Sequence, residues 1–110
     1  MEPKVKAWIV FPGGTKFGGG RAEVLRLVEE EGSLKGAVER MGMSYRAAWG
    51  YLRELERAAG FEFLVRTPGG PRAGTRLTPR ARRFLAAYEA YHRRLAAFSG
   101  KAFRGAFRKR

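Results

Sequence analysis

The amino-acid sequence predicts a mainly α-helical fold with a small β component, on three observations. Residues 33–60 hold two apolar-periodic segments, each preceded by a serine and separated by a glycine turn. A Gly/Pro-tipped pair of short β-patterned runs follows at once, between Glu62 and Thr78. Apolar residues at alternating spacings of three and four then run from Ala81 to Phe98. Short helix, turn, longer helix and hairpin in that order describe a winged helix-turn-helix. An N-terminal strand and a long C-terminal dimerisation helix complete the expected architecture.

Lys4 to Phe11 reads as a strand, because Val5, Ala7, Ile9 and Phe11 alternate with Lys4, Lys6 and Trp8. Pro12-Gly13-Gly14 ends it, and Gly18-Gly19-Gly20 precedes the next element. The glycines around Lys16 lack the spacing of a phosphate-binding loop, so they read as a flexible strand-to-helix connection. Arg21 to Glu31 is the first helix, with Val24, Leu25, Leu27 and Val28 on its apolar face and Gly32 just past its end. Ser33 N-caps a short second helix that turns Ala37, Val38 and Met41 inward, and Gly36 weakens it. Gly42 allows a tight turn. Ser44 N-caps the third helix, with Met43 and Ala48 as a small hydrophobic staple. Ala48, Leu52, Leu55 and Ala59 form its buried stripe, and Gly60 closes it.

Glu62 to Thr67 reads as a second strand, Pro68-Gly69-Gly70-Pro71 as a loop tip and Thr75 to Thr78 as a short return strand. A hairpin directly after the third helix is a wing. Thr78 caps the fourth helix, with Pro79 at its first position, where the missing N–H costs nothing. Ala81, Phe84, Tyr88, Tyr91, Leu95 and Phe98 make a heptad-like seam about five turns long. Ser99-Gly100 ends this helix and leaves a basic tail. The expected organisation is a winged helix-turn-helix domain over 1–78, a long helix over 79–99 and a tail over 100–110.

Composition narrows the function. The chain has 110 residues, no cysteine and a formal net charge of +13. Its length fits one domain with a tail, and the absence of cysteine excludes disulfides, Cys–Zn sites and thiol nucleophiles. No apolar run approaches the roughly 18 residues of a membrane span, and the first residues do not read as a signal peptide. A cytoplasmic, nucleoid-associated location and no membrane partner are expected. Residues 1–64 hold ten basic and nine acidic side chains, whereas residues 65–110 hold thirteen basic ones and only Glu89. A solvated face normally mixes both signs, so this half reads as a surface built for phosphate.

The run Gly32-Ser33-Leu34 to Ala37-Val38, then Met41-Gly42-Met43-Ser44-Tyr45-Arg46-Ala47-Ala48-Trp49, resembles the N-terminal domain of ModE-type molybdate-responsive regulators. So do Leu64-Val65-Arg66-Thr67, the Gly-rich tip and Leu77-Thr78. The framework Ser44, Ala47, Leu55-Glu56, Gly60 and Arg66 is similar to that of LysR-type winged helices more generally. The resemblance spans roughly residues 4 to 95. It implies a DNA-binding transcription regulator that dimerises through helices flanking the winged domain. ModE regulators carry a C-terminal oxyanion-binding domain and this sequence stops before one, so molybdate sensing is not carried over. Gly36 also departs from the polar residue usual in the first turn of the second helix.

An α-helix fits the major groove of B-DNA, and its N-terminal half reaches the base edges. With its stripe buried, the third helix turns Tyr45, Arg46, Trp49, Gly50 and Arg53 outward, behind Ser44. Arg46 and Arg53 suit bidentate contact with guanine, phosphate contact and solvation being the plainer alternatives. Tyr45 suits a phosphate. Trp49 fits DNA contact and core-edge packing equally, and Gly50 fits close approach to DNA or tight packing against another element. Ser33 and Lys35 stand where free N–H groups favour phosphate, although Ser33 as a plain N-cap is the stronger claim. In the wing, Arg72 and Arg76 suit phosphate or the minor groove. Arg66 suits the same, or a pair with Glu56 or Glu62.

Phe84, Tyr88, Tyr91, Leu95 and Phe98 are the expected homodimer interface, the alternative being that the seam packs wholly on its own domain. Arg80, Arg82, Arg83, Arg93 and Arg94 would surround it. The expected partner is double-stranded DNA. No cofactor, metal site or small-molecule effector site is evident. No catalytic residue is expected either: His92, the one histidine, reads as an ordinary surface residue, and no paired carboxylates appear. A non-specific basic nucleic-acid-binding protein, architectural or RNA-associated, is the alternative function. A winged helix that binds protein instead is opposed by Arg46, Arg53 and Arg57.

Overall fold

Backbone donors and side-chain caps account for most of the element order. The structure is a computed structural model describing residues 1–68 and 74–108. Its elements are β1 (Ile9–Val10), β2 (Lys16–Phe17), α1 (Gly19–Glu31), α2 (Leu34–Met41), α3 (Tyr45–Ala59), β3 (Leu64–Thr67), β4 (Gly74–Leu77) and α4 (Pro79–Phe107). Arg72 and most of the expected loop tip lie outside the described residues, as do Lys109 and Arg110. The three predicted N-caps form. Ser33 Oγ accepts from Gly36 N at 3.0 Å, Ser44 Oγ from Ala47 N at 3.1 Å and Thr78 Oγ1 from Ala81 N at 3.1 Å. Each contributes about 0.5–2 kcal/mol. Gly32, Gly42 and Gly60 close α1, α2 and α3 in the left-handed conformation, as their positions predicted.

Five readings need correction. The N-terminal segment alternates as predicted, with Val5, Ala7, Ile9 and Phe11 half-buried, but only Ile9 and Val10 pair, antiparallel to Phe17 and Lys16. The expected flexible connection is therefore partly a return strand, turned by Gly13 and Gly14 at φ 96° and 98°. Glu62 and Phe63 precede β3 rather than belonging to it, because Glu56 Oε2 takes the Phe63 N–H at 2.8 Å. The fourth helix does not end at Ser99-Gly100: α4 runs 29 residues to Phe107. An isolated glycine costs a helix only about 1 kcal/mol, and without a left-handed turn it does not stop one.

The fourth correction concerns the seam. Phe84 and Tyr88 belong to the domain's own core. The Phe84 ring contacts Phe17 edge-on at 4.9 Å and Phe63 at 5.5 Å, and the Phe11 and Phe61 rings lie just over 6.0 Å or at that distance. Tyr88 is buried, and its hydroxyl donates to Ala7 O at 2.8 Å. Beyond it, α4 meets the N-terminal segment instead of the core, with Tyr91 45% and Phe98 71% exposed. The fourth helix therefore changes role midway: Ala81, Leu85 and Tyr88 are buried in the core, whereas Tyr91 and Phe98 face outward.

His92 is also more than a surface residue. It is half-buried, its Nε2 lies 3.0 Å from Val5 O, and its ring stacks on Tyr88. Tyr88 and His92 together clasp the N-terminal segment onto α4. Glu89, the lone acid of the basic half, accepts from Arg26 at 2.6 Å and joins α1 to α4. Burial opposes the Arg26 charge, but the bonds to Glu89 and Glu23 outweigh it and raise its pKa.

Candidate nucleic-acid interface

Ala48, Leu52 and Leu55 anchor α3 in the core. The helical period then decides what faces away. Arg46, Gly50 and Arg53 are exposed, and so is Tyr45. Tyr45, Trp49 and Arg53 stand four residues apart and form a ladder. The Tyr45 and Trp49 rings meet edge to face at 6.4 Å, and the Arg53 guanidinium lies 5.7 Å from the Trp49 ring centre. Trp49 is half-buried and packs against the core edge, so it holds the ladder from below. Gly50 has open space where a Cβ would project, so no neighbour in the domain requires glycine there. Arg46, Arg53 and Arg57 make no ion pair among the described residues.

Beside this face, a cleft of about 170 Å³ separates the starts of α2 and α3 from the wing. Ser33, Lys35, Tyr45 and Arg66 line it. Ser33 is engaged as the α2 cap, and Lys35 is exposed at the α2 N-terminus. Arg66 pairs with neither Glu56 nor Glu62: Glu56 is occupied by the Phe63 and Leu64 N–H groups. Arg76 stands apart. Val65 opposes Arg76 and Arg66 opposes Thr75, so the pleat sends Arg66 and Arg76 to opposite faces of the hairpin. Arg76 lies close enough to Glu29 to help lower its pKa.

The wing's position depends on a contact that sequence reasoning missed. Thr75 is buried, and its Oγ1 accepts the Leu34 N–H at 2.7 Å. Thr75 N donates to Gly32 O at 3.1 Å. A Cβ on Gly74 would come within 2.1 Å of that same Gly32 oxygen, so only glycine lets the wing sit this close. Below it, Glu29 accepts from Leu77 N at 3.1 Å and Arg82 Nε at 2.8 Å. Gly36 has a parallel reason, since a Cβ there would lie 2.9 Å from Glu31 Cβ. No local signal marks Thr75, because a threonine in a strand is ordinary and its partner is 41 residues away.

The residue pattern of bacterial regulatory helix-turn-helix proteins of the LysR family matches residues 21–82. The chain is also similar to the molybdenum transport protein ModE of Azotobacter vinelandii, 36% identical over 78 residues. It is 31% identical over 78 residues to the molybdenum-pterin-binding protein MopB of Rhodobacter capsulatus. Each match covers 70% of this chain but 29% of the relative's length.

Proposed function

Because the chain belongs to the LysR family of bacterial regulatory helix-turn-helix proteins, we propose that it reads specific double-stranded DNA sequences as a homodimeric transcription regulator of the ModE type. The family is regulatory rather than enzymatic, and its helix-turn-helix is a DNA-binding unit. The observation that carries the finer reading is the solvent-facing set Tyr45, Arg46, Gly50 and Arg53 on α3, braced by the half-buried Trp49, with arginines that have no ion-pair partners among the described residues. In this reading α3 enters the major groove. Arg46 and Arg53 contact base edges, each discriminating by about 1–3 kcal/mol, and Gly50 permits close approach. Lys35, Tyr45 and Arg66 hold phosphate beside it, with Ser33 as the α2 cap, and Arg72 extends the wing's contacts, whereas Arg76, on the hairpin's other face beside Glu29, would reach only phosphate outside the cleft.

Tyr91, Leu95 and Phe98 are the residues proposed to pair α4 with a second copy, since Phe84 and Tyr88 are taken by the domain core. Two recognition helices would then meet half-sites about one helical turn apart. The relatives' names connect them with molybdenum, and molybdenum-related target genes in the cytoplasm are the corresponding proposal here. The charge of residues 65–110 favours a second reading, non-specific binding in an architectural role.

Selection of bound sequences from random duplex DNA separates the two. A regulator yields a pseudo-palindromic consensus, and Arg53→Ala shifts the preferred base at one position in each half-site. Lys35→Ala weakens all duplexes alike and reduces the salt slope by about one. No consensus at physiological salt overturns the specific reading. Tyr91→Asp is expected to give monomers in sedimentation, and an unchanged mass overturns the dimer.

A further inference from the structure

We propose that an apolar cavity between α1, α2 and α3 binds a small aromatic carboxylate. The cavity holds about 260 Å³. It is an opening over the core: Leu25, Leu52 and Leu55 are its buried floor, and Met41, Met43, Ala47 and Tyr51 form the accessible rim. Ala47, exposed on the α3 rim, leaves that wall too short to close it.

Size and lining select the occupant. An apolar cavity of roughly 150 Å³ suffices for benzene, while drug-sized ligands need roughly 300 Å³ or more. The volume here suits one aromatic ring with a short side chain. Met41 and Met43 flank the opening, and thioethers make favourable contacts with ring edges.

The mouth selects the charge. Arg21 lies there, its guanidinium 3.9 Å from the centre of the Tyr51 ring. It makes no ion pair among the described residues. Tyr51 is held as a neutral wall: burial pushes its pKa up to about 12, and its hydroxyl donates to Lys16 O at 2.7 Å. Glu54 accepts from Thr15 at 3.3 Å and does not line the cavity. Arg21 is thus the one charged residue among those lining the opening, resting on Tyr51 with Glu54 set back behind that ring, which suits a carboxylate and disfavours an ammonium. The site is independent of whether α3 reads DNA.

The test uses the full chain labelled at its methionine methyls and titrated with 3-phenylpropanoate, 3-phenylpropanamide and 3-phenylpropylamine. The chain has three methionines, and Met1, exposed at the far end, is the internal reference. The carboxylate should shift the Met41 and Met43 resonances saturably and leave Met1 still. The amide should bind roughly two- to five-fold more weakly, the range for losing one exposed ion pair, and the amine more weakly again. Arg21→Gln should bring the carboxylate down to the amide's affinity. Ala47→Leu, on the exposed rim, should abolish the shifts without unfolding the domain. The proposal is overturned by no saturable shift at millimolar ligand, by equal binding of acid and amine, or by an Arg21→Gln variant that binds the acid as before.

Discussion

Thr75→Val isolates the contact that seats the wing. Valine keeps the shape of threonine and the backbone bond from residue 75 to Gly32 O, but removes the oxygen that accepts the Leu34 N–H at 2.7 Å. Leu34 is 1% exposed and Thr75 9%, so water does not readily replace that partner. A buried donor left unsatisfied costs about 1–3 kcal/mol. The extra buried methyl returns at most about 0.8 kcal/mol. The net expectation is a loss of about 1–2 kcal/mol. With a urea slope of about 1–1.5 kcal/mol/M for a small domain, the unfolding midpoint falls by roughly 1 M without a change of slope. Hydrogen exchange at the Leu34 amide should accelerate at the same time. Thr75→Ser retains the acceptor and should lose less. A Thr75→Val midpoint within about 0.3 M of the parent, or a Ser variant as damaged as the Val variant, would refute the hydrogen bond as the seat of the wing.

Gly74→Ala should destabilise by more than about 2 kcal/mol in the same urea assay, because its Cβ would fall 2.1 Å from the Gly32 oxygen. Phe84→Ala should cost about 3 kcal/mol, the low end for a phenylalanine only partly enclosed by its aromatic neighbours, whereas Phe98→Ala, 71% exposed, should change the stability of the isolated domain by about 0.5 kcal/mol or less. Burial raises the pKa of Glu29, but the bonds from Arg82 and Leu77 N–H outweigh it, and the net shift is downward. Its stabilising effect is therefore complete above the unfolded carboxylate value, about 4.3, and is lost as pH falls through the lower folded one. Urea midpoints of the parent and Glu29→Gln should accordingly differ at pH 7 and converge in acid; a gap that persists in acid would contradict this.

Local chemistry made most of the fold legible. Ser33, Ser44 and Thr78 are caps that act within three residues, and Gly32, Gly42 and Gly60 end helices by their own backbone freedom. The outward face of α3 followed from the buried stripe alone, because a helix with Ala48, Leu52 and Leu55 inside has one remaining orientation for Arg46, Gly50 and Arg53. Ser99-Gly100 misled for a complementary reason: the same glycine stops a helix or passes through one according to a backbone angle that composition does not specify.

The sequence by itself therefore determined the helices, their order, the helix-turn-helix class and the residues that α3 presents. Periodicity and capping are short-range properties, written within one or two turns. Only the tertiary structure decided which half of α4 belongs to the core, that Arg66 faces the α2–α3 cleft while Arg76 does not, and that His92 clasps the N-terminal segment. It alone revealed that Thr75 seats the wing and that α1, α2 and α3 leave a cavity among them. Each of these depends on distances between residues far apart in the chain. Such distances follow from how whole helices pack, not from the preferences of any one segment.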